Sequence, residues 1–195
     1  MDQAADQPFA SQHHLVVGGQ RSGKSRHAEA LARRWLEGAA DRSVVVVATA
    51  VAGDDEMRAR IERHQQDRPA GFGTVESPRR LAQALRDAAA PGRLLLVDCL
   101  TLWLTNWLMP IDGQADEAAW QAERQDVLDA LAGLPSPVVF VSNEVGWGVV
   151  PLGAGMRQYV DELGSLNQAV ARRCGHLTLM VAGQAWTRAV GDAVL

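Results

Sequence analysis

The stretch from Gly18 to Ser25, GGQRSGKS, decides the fold of this 195-residue chain. It follows the short apolar run Leu15–Val17 and leads into a helical pattern that begins at Lys24. A glycine, four residues and then Gly-Lys-Ser, set between a strand and a helix, form the pattern of a phosphate-binding loop. In such a loop, backbone N–H groups and the positive end of the helix dipole hold phosphates, the lysine reaches the β- and γ-phosphates, and the Ser25 hydroxyl can bind Mg²⁺. The sequence therefore predicts a nucleotide site here, without saying how the nucleotide is used.

Short apolar runs alternate with amphipathic stretches along most of the chain. The predicted strands are Leu15–Val17, Val44–Ala48, Leu94–Asp98, Val138–Ser142 and Leu177–Val181. The predicted helices are Lys24–Glu37, Asp54–Gln66, Pro78–Ala89, Leu100–Leu108, Asp116–Leu131 and Met156–Cys174. The stretches 67–78 and 146–155 are rich in glycine and proline and are expected to be irregular loops. This alternation predicts an α/β fold with a mostly parallel central sheet and helices on both faces.

Length and composition favour a single domain over residues 13–195, preceded by a disordered leader, 1–12. His13 and His14 adjoin the leader and are expected to be exposed. The net charge is −4 and Lys24 is the only lysine, which argues against a nucleic-acid groove. No apolar run has membrane-spanning length, and we expect a cytoplasmic protein. Cys99 and Cys174 lack the spacing of a zinc site or a disulfide framework.

Two carboxylates follow predicted strands, at the sheet edge where ligands of parallel sheets bind. Asp98 comes directly after four apolar residues, which is the usual place of the acid that contacts Mg²⁺ in phosphate-loop proteins. It could also be the N-cap of the next helix. Glu144 precedes a glycine-rich stretch and could be a second metal-side acid, an acceptor for a substrate hydroxyl, or only part of a polar turn.

His64 lies on the predicted helix after the second strand. Arginines surround it in the sequence, at Arg58, Arg60, Arg63 and Arg68. Such a cluster suits an anionic ligand, and nearby cations favour the neutral, nucleophilic imidazole. A lone histidine on a helix is more often a surface residue, so the residues alone leave both readings open.

The chain resembles the bifunctional adenosylcobinamide kinase/adenosylcobinamide-phosphate guanylyltransferases of cobalamin assembly. The resemblance runs from His14 to about Val181. The segments that carry it are GGQRSGKSRHAE at 18–29, DEMRARIERH at 55–64, Arg68-Pro69, VDCLTLWLTN at 97–106 and SNEVG at 142–146.

The resemblance implies two reactions and a fold similar to that of recombinase-type (RecA-like) P-loop NTPases. ATP or GTP would phosphorylate the aminopropanol hydroxyl of adenosylcobinamide; GTP would then transfer GMP to His64 and onward to adenosylcobinamide phosphate, giving adenosylcobinamide-GDP. The catalytic residues would be His64 and Lys24, and Mg²⁺ would be held by Ser25 and Asp98. The implied nucleotide contacts are Gly18, Gly19, Gln20, Arg21, Ser22, Gly23, Lys24, Ser25, Ala48, Thr49, Ala50, Gln65, Gln66, Asp67, Arg68, Glu76 and Asp98. The family also implies a homo-oligomer, with a trimer expected.

Two other functions fit parts of the pattern. One is a small-molecule kinase in which His64 is structural. The other is a non-catalytic nucleotide-binding or regulatory module, against which the acidic net charge and the absence of a basic stripe argue.

Overall fold

The computed structural model describes residues 13–56, 58–59 and 71–191. Its strands are β1 (His13–Gly18), β2 (Ser43–Ala48), β3 (Phe72–Glu76), β4 (Arg93–Asp98), β5 (Val138–Asn143), β6 (Cys174–Val181) and β7 (Gln184–Ala189). Its helices are α1 (Lys24–Glu37), α2 (Leu81–Ala88), α3 (Leu100–Leu108), α4 (Glu117–Leu131) and α5 (Ala154–Ala171). Of the helix predicted at 54–66, the described residues Asp55, Glu56, Arg58 and Ala59 are helical.

The strands form one sheet in the order β3-β2-β4-β5-β1-β6-β7, in which only the β6–β7 pair is antiparallel. Alternate residues of each strand enter different cores, because successive side chains point to opposite faces of a sheet. Val16 packs with α1 on one face, whereas Leu15 and Val17 belong to the core that α2 to α5 cover on the other. The predicted parallel sheet with helices on both faces is confirmed.

Two strands were not predicted. β3 lies within the stretch 67–78 that was expected to be a loop, and β7 lies within the unassigned C-terminal segment. Both are edge strands, and each is stabilised by pairing with one long neighbour, β2 or β6, rather than by a strong apolar pattern of its own. The hairpin into β7 turns at Ala182 and Gly183, both with positive φ, which matches the twist of a tight hairpin.

Helix ends also differ from the predictions. The helix predicted at Pro78–Ala89 covers only Leu81–Ala88, and the one predicted at Met156–Cys174 is Ala154–Ala171. Cys174 instead begins β6, where it pairs with His13 of β1. Residues 146–153 are irregular, as expected.

The prediction that His13 and His14 are exposed is wrong, because both lie in β1 and are buried. His13 Nε2 is 2.9 Å from the Leu131 carbonyl oxygen, and Nδ1 accepts the Val138 N–H at 3.1 Å. His14 Nε2 lies 2.7 Å from Thr178 Oγ1. The His13 ring thereby joins β1 to the end of α4 and to β5, and the His14 ring joins it to β6.

Burial, with smaller contributions from His176, His27 and Arg34, lowers the pKa of His14 to about 4. An unfolded histidine titrates near 6.5, so between pH 6.5 and 4 the unfolded chain binds more protons, and stability falls as the pH falls through that window. We expect His14 to account for a loss on the order of 2 kcal/mol between pH 7.5 and 5. Denaturant unfolding at the two pH values measures it.

The variant His14→Gln keeps a polar group near Thr178 but cannot titrate. It should lose less stability than the native chain over the same pH interval. His27→Gln, at a less buried ring, should remove less of the acid dependence. An equal acid loss in the native chain and His14→Gln would contradict the assignment.

Candidate functional site

The phosphate-binding loop starts where β1 ends and closes where α1 begins. Gly18 is the last residue of β1, and Lys24 is the first of α1. Gly23, the N-cap, has φ +99°, and Arg21 has φ +55°. When residues in the left-handed conformation alternate with residues in other conformations, successive backbone N–H groups can point toward the same place and form an anion-binding concavity. The loop therefore has the backbone shape that phosphate binding requires.

Both strands next to β1 hold the loop in place. The Gly18 carbonyl accepts the Glu144 N–H from the end of β5 at 3.1 Å, and the Ser22 carbonyl accepts the Gly183 N–H from the β6–β7 turn at 3.0 Å. Gly18 also packs so closely that a Cβ there would overlap the Met180 carbonyl oxygen. The β6–β7 hairpin thus supports the loop, a role that was not predicted because β7 itself was not predicted.

The Lys24 side chain lies across this loop. It is only 8% exposed, and its Nζ donates to the Gly19 carbonyl oxygen at 2.6 Å. Gly19, Gln20 and Arg21 are exposed, whereas Ser25 is half-buried in the first turn of α1. The ammonium is held beside the exposed backbone that would meet a phosphate.

Three predicted nucleotide contacts lie side by side at the carboxyl edge. Ala48 of β2 is in register with Glu76 of β3 on one side and with Asp98 of β4 on the other. Because β5 separates β4 from β1, Asp98 is two strands from the phosphate loop, about 10 Å, and Glu76 is four strands away, about 19 Å. The predicted residues therefore form a row along one edge rather than a single cluster.

Thr49 belongs to this row but is fully buried. Its hydroxyl donates to the Cys99 carbonyl at 2.8 Å and accepts the Cys99 N–H at 2.9 Å, while its own N–H donates to the Asp98 carbonyl. Its carbonyl accepts from Asn106 Nδ2 at 2.7 Å. The residue thereby fixes the backbone at the end of β4.

The alternative reading of Asp98 as a helix N-cap is wrong. The N-cap of α3 is Cys99, which follows a cis peptide bond after Asp98. Burial, with a contribution from Asp98, raises the pKa of the Cys99 thiol to about 11. This shift favours the protonated thiol at neutral pH.

Glu144 makes a turn. Its Oε1 accepts the Gly146 N–H at 2.9 Å, as the polar-turn reading predicts, while its N–H holds the phosphate loop. The residue is half-buried, and the two chemical roles considered for its carboxylate stay predictions.

Asn106 lies at this site but was not among the predicted site residues. Its Nδ2 donates to the carbonyls of Thr49 and Pro78, at 2.7 and 2.8 Å. It joins the segments that follow β2 and β3 to helix α3. Asparagine near a helix end carries no distinctive sequence signal, which is why only the structure reveals this link.

The predicted nucleophile His64 and the predicted contacts Gln65 to Arg68 lie outside the described residues. Of the arginines near His64, Arg58 is described. It is exposed and pairs with Asp55 at 2.6 Å, on the helix's first turn.

Residues 14–187 match the protein family described as cobinamide kinase / cobinamide phosphate guanyltransferase. The chain belongs to this family. The family's description joins a kinase to a guanyltransferase, and both activities are assigned to this chain. Neither alternative from the sequence, a kinase alone or a non-catalytic module, agrees with that pair of activities.

Curated relatives agree over most of their length. The chain is 51% identical over 169 residues to the bifunctional adenosylcobalamin biosynthesis protein CobP of Pseudomonas aeruginosa, covering 87% of this chain and 92% of that protein. It is 38% identical over 178 residues to the bifunctional adenosylcobalamin biosynthesis protein CobU of Escherichia coli, covering 87% and 95%.

The fold is similar to that of a known ATPase. A solved ATPase domain superposes with a TM-score of 0.50 at 14% identity, covering 87% of this chain and 69% of that one. At this identity the likeness concerns the fold alone, and it confirms the predicted P-loop NTPase architecture.

Among the described helices, none has both the length and the apolar character needed to span a membrane.

The close packing of Gly18 yields a matched pair of variants. Gly18→Ala should lower the melting temperature and weaken nucleotide binding, because its methyl group would displace the Met180 backbone and the loop with it. Gly19→Ala meets no atom within 4 Å and should leave the melting temperature nearly unchanged. Thermal unfolding of both variants checks this; equal destabilisation would contradict the packing argument.

Asn106 can be tested by an isosteric change. Asn106→Asp places a carboxylate against two carbonyl oxygens and should reduce the free energy of unfolding by about 1–3 kcal/mol. Asn106→Ala removes the donors without adding a charge and should cost less. Denaturant unfolding distinguishes them, and an Asp variant no worse than the Ala variant would show that the two bonds matter little.

Proposed function

We propose that the row along the carboxyl edge, from the phosphate loop to Glu76, binds GTP or ATP for two successive transfers. In the first, the aminopropanol hydroxyl of adenosylcobinamide takes the γ-phosphoryl group. In the second, His64 takes GMP from GTP and passes it to adenosylcobinamide phosphate. The observation that carries the proposal is the position of the Lys24 ammonium, which lies against a loop whose backbone has the shape of an anion site.

The spacing of the row supports this arrangement. The phosphates would lie on Gly18–Ser25, and the rest of the nucleotide would extend across the ends of β5, β4 and β2. The distance of about 19 Å between the loop and Glu76 suits the far end of a nucleotide rather than its phosphates. Ala48 and Ala50 would contact the nucleotide along the way, with Thr49 holding the backbone below it.

A divalent metal fits the residues present. The Ser25 hydroxyl, in the first turn of α1, and the Asp98 carboxylate, at the end of β4, are hard oxygen ligands of the kind that Mg²⁺ prefers. We propose that these two side chains hold Mg²⁺, which would offset negative charge on the phosphates when bound.

In the kinase step, the substrate hydroxyl oxygen attacks the γ-phosphorus, its proton passes to water, and the bond to the β–γ bridging oxygen breaks. Negative charge develops on the leaving nucleoside diphosphate. We propose that Lys24 stabilises that charge, and the position of its Nζ, 2.6 Å from the Gly19 carbonyl oxygen of the loop, supports this role.

In the guanylyl transfer, a nitrogen of neutral His64 attacks the α-phosphorus and pyrophosphate leaves. The phosphate oxygen of the corrinoid then attacks the same phosphorus and the P–N bond breaks, which returns the imidazole. A covalent intermediate divides one displacement into two easier ones. Gln65, Gln66, Asp67 and Arg68, next to His64 in the sequence, would contact the GTP.

Two further proposals concern location and assembly. We propose that the enzyme is cytoplasmic, as the sequence led us to expect, and that it is a homo-oligomer, with a trimer expected from the family resemblance.

Incubation with α-labelled GTP and Mg²⁺ tests the guanylyl step. We expect an adduct that is stable in base and labile in acid, as a phosphoramidate is. His64→Ala should abolish the adduct and keep the phosphorylation of adenosylcobinamide, whereas Lys24→Ala should reduce both by at least about 100-fold. His27→Gln, a change at a histidine of α1, serves as the matched control and should retain the label. An adduct that survives His64→Ala would overturn the assignment.

A further inference from the structure

We propose that the corrin macrocycle of the acceptor lies in the groove between residues 145–151 and helix α5. This inference rests on the proposed function, because it concerns where the second substrate of the same site binds. The groove has a volume of about 490 Å³ and is open to solvent along one side. That space suits one edge of a large ring, with the rest of the ring standing above the surface.

The position of the groove is the first argument. Its wall begins at Val145, one residue after Glu144, whose N–H holds the phosphate loop. β5 pairs directly with β1, so the groove begins one strand, about 5 Å, from the loop. An acceptor in it could direct its hydroxyl arm toward the γ-phosphate while the ring stays outside the nucleotide site.

A second cleft, between β3 and α2, fits this substrate less well. It is four strands from β1, and its lining includes the charged residues Glu76, Arg80, Asp87 and Arg93. A hydroxyl bound there would lie about 19 Å from the phosphate loop.

The chemistry of the loop wall is the second argument. Val149 and Val150 line the groove and are 95% and 71% exposed, and Trp147 and Leu152, in the same stretch of chain but outside the groove lining, are exposed as well. Such a concentration of exposed apolar side chains marks a binding surface. A corrin ring is a broad apolar surface with methyl groups, so this wall matches its face.

The opposite wall matches the rim of the ring. Cobinamide carries several amide arms around the macrocycle, each of which can donate and accept hydrogen bonds. Helix α5 lines the groove with Arg157, Asp161 and Gln168. Arg157 donates hydrogen bonds, Asp161 accepts them, and Gln168 can do both. Arg157 also donates to the Pro151 carbonyl at 3.0 Å and so ties the loop to the helix.

Gly164 is the third and independent argument. It lies inside α5, where glycine costs about 1 kcal/mol relative to alanine, and it lines the groove. A Cβ there would meet no atom within 4 Å, so packing of the described residues does not require glycine. Close approach of a ligand gives a reason for the missing side chain.

Variants at Gly164 test the proposal, because a side chain there should not lower the melting temperature but should weaken the binding of a corrinoid. Gly164→Ala should raise the melting temperature slightly, since alanine favours the helix, and Gly164→Leu should fill the groove without unfolding the protein. Equilibrium dialysis of dicyanocobinamide against the full chain should show binding to Gly164→Leu that is weaker by roughly ten-fold or more. Val149→Asp, which puts a charge on the apolar wall, should weaken binding similarly.

Gly133→Leu is the matched control, because Gly133 is another glycine with open space around it, and it lies outside the groove. It should bind dicyanocobinamide as the native chain does. Unchanged binding in both Gly164→Leu and Val149→Asp would overturn the proposal. So would a control variant, Gly133→Leu, that loses as much binding as Gly164→Leu does. A change of oligomeric state in Val149→Asp with unchanged binding would assign the surface to a subunit contact instead.

Labelling with GTP separates this inference from the proposed function, because the adduct forms before any corrinoid is needed. The groove variants should form the GMP adduct at the native rate. A native chain that binds dicyanocobinamide but forms no adduct would refute the proposed guanylyl transfer while leaving the groove assignment standing.

Discussion

The phosphate loop depends on the absence of a side chain at Gly18. Without a Cβ, the backbone there packs against the Met180 carbonyl of β6, and its own carbonyl accepts the Glu144 N–H from β5. A third contact, from Gly183 to Ser22, holds the far side of the loop. Two neighbouring strands thereby fix a loop that must stay concave before any phosphate binds. Preorganisation of this kind is what makes backbone dipoles effective in catalysis.

The order of the strands determines how two large substrates share one edge. The edge on the β5, β4 and β2 side carries the polar row that suits a nucleotide, and Thr49 and Asn106 keep that row in register with α3. The loop after β5 carries exposed apolar side chains and lines the groove beside α5. Both surfaces meet at the phosphate loop, so the reacting atoms can come together while the bulky parts of the substrates stay apart.

Much of the fold could be predicted, because long β-branched runs and amphipathic helices carry their own periodicity. The exceptions have a common cause. β3 and β7 are edge strands that form by pairing with a neighbour, and the local sequence of neither has a strong pattern. His13 and His14 were expected to be exposed on account of their polar neighbours, yet their rings bond to Leu131 and Thr178, more than a hundred positions away in the chain. The N-cap of α3 is another case: the geometry identifies it as Cys99, whereas the sequence pattern also suited Asp98.

The sequence by itself predicted a phosphate-binding loop at Gly18–Ser25, since that motif depends on residue types at a fixed local spacing. It also predicted five of the seven described strands, the helices between them and the candidate residues at the strand ends. Only the tertiary structure decided which of those ends are neighbours, how far Glu76 lies from the loop, and that the β6–β7 turn supports it. It alone revealed the groove beside α5 and the open space over Gly164. Distances across a sheet depend on strand order, which is set by long-range packing and not by any local pattern of residues.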